Sequence, residues 1–135
     1  MTLDELRATF DLLEDWEERF RLIIELGQKL TPLTEAEHND VNKVLGCMSQ
    51  VWLVFDREGE GEGEIFNFRG DSDAHIVRGI IAVILMIYSG KTAAQILATN
   101  HEAIFAELDL ANAISMNRRN GLYAMVAKIR ALAAG

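Results

Sequence analysis

The sequence predicts an α+β domain, because helical apolar stripes open and close the chain while a run of β-branched and aromatic residues with a return partner lies between them. Two N-terminal helices come first. Thr2 and Glu5 have the spacing of a capping box, and Leu3, Leu6, Phe10 and Leu13 recur at helical intervals behind it. Asp15 restarts the pattern, with Trp16, Phe20, Ile23 and Ile24 forming a second stripe that Gly27 is predicted to end. Pro32 and the polar run from Thr34 to Asp40 predict an exposed connection, with one helical turn after Thr34.

From Gln50 to Phe55 the side chains alternate, Val51, Leu53 and Phe55 on one side and Trp52 and Val54 on the other, which predicts a strand. Asp56 to Glu64 intersperses glycines with glutamates and predicts a mobile turn, after which Ile65 to Arg69 returns as an antiparallel partner. Residues just before Cys47 are expected to supply a short third strand. Ser72 is expected to cap a largely apolar helix carrying Ile76, Ile80, Ile81, Ile84 and Ile87, which Gly90 ends. Thr92 with Gln95 offers another capping box, Asn100 another cap, and a last helix starts near Asn117 with Leu122, Met125, Val126, Ile129 and Leu132 on its stripe. Lys128 and Arg130 suit the negative end of that helix. The expected architecture is a single domain over residues 1–135: two N-terminal helices, a small antiparallel three-stranded sheet and several C-terminal helices packed on one face.

The formal net charge of −8 argues against nucleic acid as a partner, since phosphate contacts need clustered Lys and Arg. The first ten residues carry Asp4 and Glu5 where a signal peptide would be basic, and the longest apolar run, Ile80 to Tyr88, is far short of the roughly 20 residues that span a bilayer. A cytoplasmic protein without a membrane partner is expected. Cys47 is the single cysteine, so an internal disulfide and a cysteine-rich metal site are both excluded. His38, His75 and His101 show no paired ligand spacing and are expected on the surface, with no metal.

Cys47 lies in Asn42-Lys43-Val44-Leu45-Gly46-Cys47-Met48-Ser49-Gln50-Val51-Trp52, between a polar connection and the first strand. Gly46 permits backbone conformations closed to other residues and gives a partner close access to the neighbouring sulfur. Val44, Leu45, Met48 and Val51 are expected to seat the thiol in apolar surroundings, which disfavour the thiolate until a partner docks. From the residues alone an inert, packed cysteine remains the competing reading.

This stretch and Gly70-Asp71-Ser72-Asp73-Ala74, supported by Ile23-Ile24-Glu25-Leu26-Gly27 and Arg118-Arg119-Asn120-Gly121-Leu122, resemble the SufE family over most of the chain. The resemblance implies a fold similar to scaffold proteins of the NifU/IscU type. It also implies a sulfur acceptor for a cysteine desulfurase of the SufS/CsdA kind, with Cys47 carrying the persulfide and an iron–sulfur scaffold as recipient. No cofactor is expected here, because the pyridoxal phosphate that cleaves the carbon–sulfur bond belongs to the partner. The acidic, glycine-rich turn from Glu58 to Glu64 departs from the family pattern.

Arg118 matches a family arginine near the start of the last helix, where a guanidinium can stabilise a thiolate or persulfide anion, and a surface ion pair is the alternative. Gly46, Met48, Ser49 and Gln50 are expected to be loop and partner-contact residues, with ordinary backbone bonding at a strand entry as the alternative for Ser49 and Gln50. Asp73 has two readings, a contact to this loop or an ordinary acid at a helix start. Trp16 and Trp52 are expected to anchor the core. The alternative functions are a cysteine-dependent hydrolase, for which the chain offers no nucleophile elbow, and a binding module with a purely structural cysteine.

Overall fold

The computed structural model of the protein describes residues 1–46, 49–110 and 116–135, and the side chains of all of these except 116–119. Helix α1 runs over Leu3–Leu12 and starts at its expected cap, the Thr2 hydroxyl accepting from the Glu5 amide; α2 runs over Trp16–Gln28 and is capped by Asp15, whose carboxylate accepts from the Glu18 amide. Thr34 and Glu37 form a complete capping box around a single 3-10 turn, Glu35–Glu37. Strands β1 (Val51–Glu58) and β2 (Ile65–Ser72) pair antiparallel, Val51 opposite Ser72 and Glu58 opposite Ile65. The hairpin is longer than the apolar alternation alone implied. Its turn holds a 3-10 segment, Gly61–Gly63, and Arg57 faces Glu64 across it at 3.5 Å.

The third strand is not the segment before Cys47. It is β3 (Lys91–Thr92), paired with Ile65 and Phe66, so the sheet order is β1-β2-β3. The segment before Cys47 does approach β1, but as an isolated bridge between Lys43 and Trp52.

Helix α3 (His75–Tyr88) crosses the buried sheet face presented by Val51, Leu53, Phe66 and Phe68. Its start differs from the expected one. Ser72 ends β2 and is buried, with its hydroxyl accepting from the Ala74 amide, and Ala74 itself occupies the N-cap position. Gly27 also has a different role, because α2 continues through it. A Cβ on Gly27 would stand 2.5 Å from the Gly79 amide nitrogen, and a Cβ on Gly79 would run into the Ile23 carbonyl oxygen. The two glycines let α2 and α3 pack backbone to backbone, which is why neither position tolerates a side chain.

The remaining helices are α4 (Ala93–Ala98), α5 (His101–Glu107) and α6 (Met116–Ala134). Thr92 with Gln95 forms the expected capping box of α4, and Asn100 caps α5 by accepting from the Ala103 amide. Leu122, Met125, Val126 and Ile129 of α6 are buried in the core, and Met125 also approaches Gly70 of β2. Arg130 points away from its own helix end: its guanidinium donates to the carbonyls of Ile96 and Thr99 at the end of α4, each 3.4 Å away. Trp16 packs edge-on against Phe10 and its indole N–H donates to Asp109 at 3.3 Å. Trp52, predicted as a core anchor, instead lies half-buried on the opposite sheet face, edge-on to the His38 ring at 4.7 Å.

Candidate functional site

Cys47 and Met48 lie outside the described residues, and so do the side chains of Arg118 and Arg119; the residues around them define a short loop with a closed base. On its entry side, Asn42 and Val44 pair with β1. The Leu53 amide donates to the Asn42 carbonyl and the Val44 amide to the Val51 carbonyl, both at 2.8 Å. On its exit side, Gln50 extends the β1–β2 ladder by one step, since the Asp73 amide donates to the Gln50 carbonyl at 3.3 Å. The Asp73 carboxylate then accepts from the Gln50 amide at 3.0 Å. Asp73 therefore contacts the loop, and Gln50 is held through its backbone rather than its exposed side chain.

Past the entry-side anchor the chain turns at Leu45 and Gly46. Gly46 has φ of +91°, in the left-handed region that side chains disfavour, and a Cβ there would stand 3.6 Å from Cβ of Ala124 on α6. Ser49 is half-buried. Of the expected apolar seat, Val44 and Val51 are buried, whereas Leu45 is turned out to solvent with 81% of its surface exposed. The cause is the closed base: Val44 and Val51 face each other across paired backbone, and Leu45 is the first residue past the pairing. Val41 is likewise exposed, so two large apolar side chains flank the segment that leads into Cys47.

Helix α6 contributes from the other side. Arg118 and Arg119 lie in its first turn, and Ala124 meets Gly46 two turns onward, roughly 9 Å along the axis at 1.5 Å per residue. One turn further, the half-buried Lys128 ammonium reaches the carbonyls of Val41 and Asn42, each at 3.4 Å, and burial lowers its pKa from the ordinary value. The sequence predicts for Lys128 only the role of a helix-end charge. No local pattern reveals its contact, since 86 and 87 positions separate the partners.

The segment from Thr34 to Asn42 lies across the outer face of the sheet. Arg69 of β2 holds the Glu37 carboxylate through two hydrogen bonds of 3.0 and 2.6 Å, and that pairing brings the Glu37 pKa down to about 2. His38 sits beside it, with Nε2 2.8 Å from Asp71 and Nδ1 2.8 Å from the Thr34 carbonyl. Arg78 of α3 approaches the other oxygen of Asp71 at 3.1 Å. His38 is thus half-buried in a polar network rather than a free surface histidine. Among the described residues there is no cluster of metal-ligating side chains and no helix long and apolar enough to cross a membrane.

The fold is an α+β domain in which both flanks of the segment holding Cys47 are tied by hydrogen bonds to the β1–β2 hairpin or its continuation. The model of the SufE family, described as an Fe-S metabolism associated domain, matches residues 4–133, and the chain belongs to that family. A SufE-like protein of Rhizobium etli is 48% identical over 129 residues, covering 96% of this chain and 87% of the relative. One from Rhizobium meliloti is 42% identical over 134 residues, covering 99% and 96%. A solution structure of a hypothetical protein from Thermus thermophilus superimposes with a TM-score of 0.74 over 99% of this chain and 96% of the other. At 16% identity that likeness carries the fold alone. The family places the chain in iron–sulfur metabolism.

Proposed function

We propose that the protein accepts sulfane sulfur from the persulfide of a cysteine desulfurase onto Cys47, and passes it to an iron–sulfur assembly scaffold. The observation that carries this reading is the loop itself: the chain's single cysteine stands between Gly46 and the Gln50–Asp73 anchor, in a protein of the SufE family. The Cys47 thiolate attacks the outer sulfur of the donor persulfide. The sulfur–sulfur bond of the donor breaks, its cysteine leaves as a thiolate, and the sulfane sulfur with its proton remains on Cys47 as a new persulfide. Attack on the inner sulfur would instead join the two proteins by a disulfide and expel sulfide, so the docked geometry has to direct the thiolate outward.

Several features support such a role. The left-handed Gly46 leaves the position before Cys47 in the chain without a side chain, and exposed Val41 and Leu45 offer apolar surface for a partner to cover. The positive start of α6, with Arg118 and Arg119 in its first turn, suits an anionic thiolate or persulfide. Pyridoxal phosphate stays with the desulfurase, which performs the carbon–sulfur cleavage. The cytoplasm, where free thiols are kept reduced, is the compartment that fits this chemistry.

The decisive test mixes the protein with a cysteine desulfurase, pyridoxal phosphate and cysteine and reads the intact mass of the acceptor. One added sulfur that maps to Cys47 and disappears on reduction is the expected result. A hydrolase would form acyl adducts with ester or amide substrates, and a binding module would form neither.

A further inference from the structure

Both ring nitrogens of His38 face acceptors: Nδ1 the Thr34 carbonyl and Nε2 the Asp71 carboxylate, each at 2.8 Å. A neutral imidazole carries one N–H and can satisfy only one of them, whereas the imidazolium donates to both. We propose that His38 is a positioning residue that, as the imidazolium, pins the 34–42 segment to the sheet, and that its deprotonation loosens the root of the Cys47 loop.

The connection from His38 to the loop is continuous. The Glu37 carbonyl, one residue before His38, accepts from the Asn42 side-chain amide at 3.0 Å, and the Asn42 amide donates to the Asn39 side chain at 2.9 Å. Asn42 in turn receives the Leu53 amide, and the next bond along is that of Val44 to Val51. Displacing His38 therefore pulls on the entry-side anchor of the loop. If the proton stays on Nε2, the Thr34 tie is lost and a lone pair faces a carbonyl; if it stays on Nδ1, a lone pair faces a carboxylate. Either way one bond becomes a repulsion.

The charged groups around the ring set the direction. Asp71 from β2 is the direct partner, and it is shared with Arg78 from α3; Glu37, on the same segment as His38, is neutralised by Arg69 from β2; the β1 neighbour, Trp52, is uncharged. The hydrogen bond to Asp71 is the main cause that raises the His38 pKa above its ordinary 6.5. A raised folded-state value means that the stabilisation is complete below 6.5 and is lost as pH rises through the folded value.

The functional consequence rests on Cys47 being the sulfur acceptor, but the structural claim is tested without it. In the full-length chain, the His38 ring is titrated by NMR while amide protection of Val44 and Leu53 is followed by hydrogen exchange, corrected for intrinsic rates, between about pH 6 and 9. Protection in the wild type should fall roughly threefold or more, the worth of one hydrogen bond, in step with the His38 titration. His38→Arg, a permanent two-armed donor, should remain protected throughout, and His38→Gln should stay low at every pH. Flat protection while His38 titrates, or a Gln variant indistinguishable from wild type, overturns the proposal. Should the Arg variant fail to fold, the wild-type titration and the Gln variant still decide. Sulfur loading of Cys47, measured on the same samples, separates the two ideas: absent loading at every pH sinks the acceptor reading, whereas normal loading with flat protection sinks only the His38 switch.

Discussion

Asp73 and Gln50 close the exit side of the cysteine loop by a reciprocal pair of hydrogen bonds, one from each backbone amide, at 3.0 and 3.3 Å. The pair continues the β1–β2 ladder beyond Val51 and Ser72, so the loop begins where regular sheet ends. Replacing Asp73 with Ala removes the side-chain acceptor and keeps the backbone bond. The expected loss is about 1 kcal/mol of stability, the net worth of one hydrogen bond, together with faster labelling of Cys47 by a bulky thiol reagent. Unchanged labelling would mean that the exit anchor does not govern access to the thiol.

Cys47→Ser should leave the fold and desulfurase binding intact while abolishing sulfur loading, because the hydroxyl is nearly isosteric and cannot form a persulfide. Docking measured by calorimetry and loading measured by mass should therefore separate. Full stimulation of the desulfurase by the Ser variant would show that activation needs no thiol.

Arg118→Lys keeps a charge in the first turn of α6 and loses the planar fork. A slower transfer rate with unchanged binding is expected, and a larger loss for Arg118→Ala. Normal transfer by both variants assigns Arg118 to the surface.

The Glu37–Arg69 pair predicts an acid limb of stability. A carboxyl held from its ordinary 4.5 down to about 2 contributes stability that is present above 4.5 and is lost as pH falls through about 2. Thermal unfolding between those values should show a steeper fall in Tm for the wild type than for Glu37→Gln. Parallel curves would mean that the bidentate bond to Arg69 is not retained in solution.

Gly79→Ala should be among the most destabilising small substitutions in the chain, since the added methyl enters the Ile23 backbone of α2 rather than a movable side chain. Overpacking of this kind costs about 1–3 kcal/mol or more, readable as a lower denaturation midpoint. A neutral effect would show that α2 and α3 can separate freely.

The sequence by itself determined what is local. The caps at Thr2, Asp15, Thr34, Thr92 and Asn100 bind amides three positions away, and the alternation from Val51 to Phe55 sets the two faces of β1, so composition and spacing suffice to read them. The family motif around Cys47 was legible for the same reason. Tertiary structure alone decided the rest: that Lys91–Thr92 supplies the third strand, that Gly27 marks a helix crossing instead of a helix end, and that Leu45 faces water. It also decided that Asp73 reaches Gln50, 23 positions away, and that His38 lies between Thr34 and Asp71, the latter 33 positions away. Short-range hydrogen bonds depend on neighbours that the chain supplies in order, whereas these contacts exist only after helices and strands have packed and brought distant residues to one place.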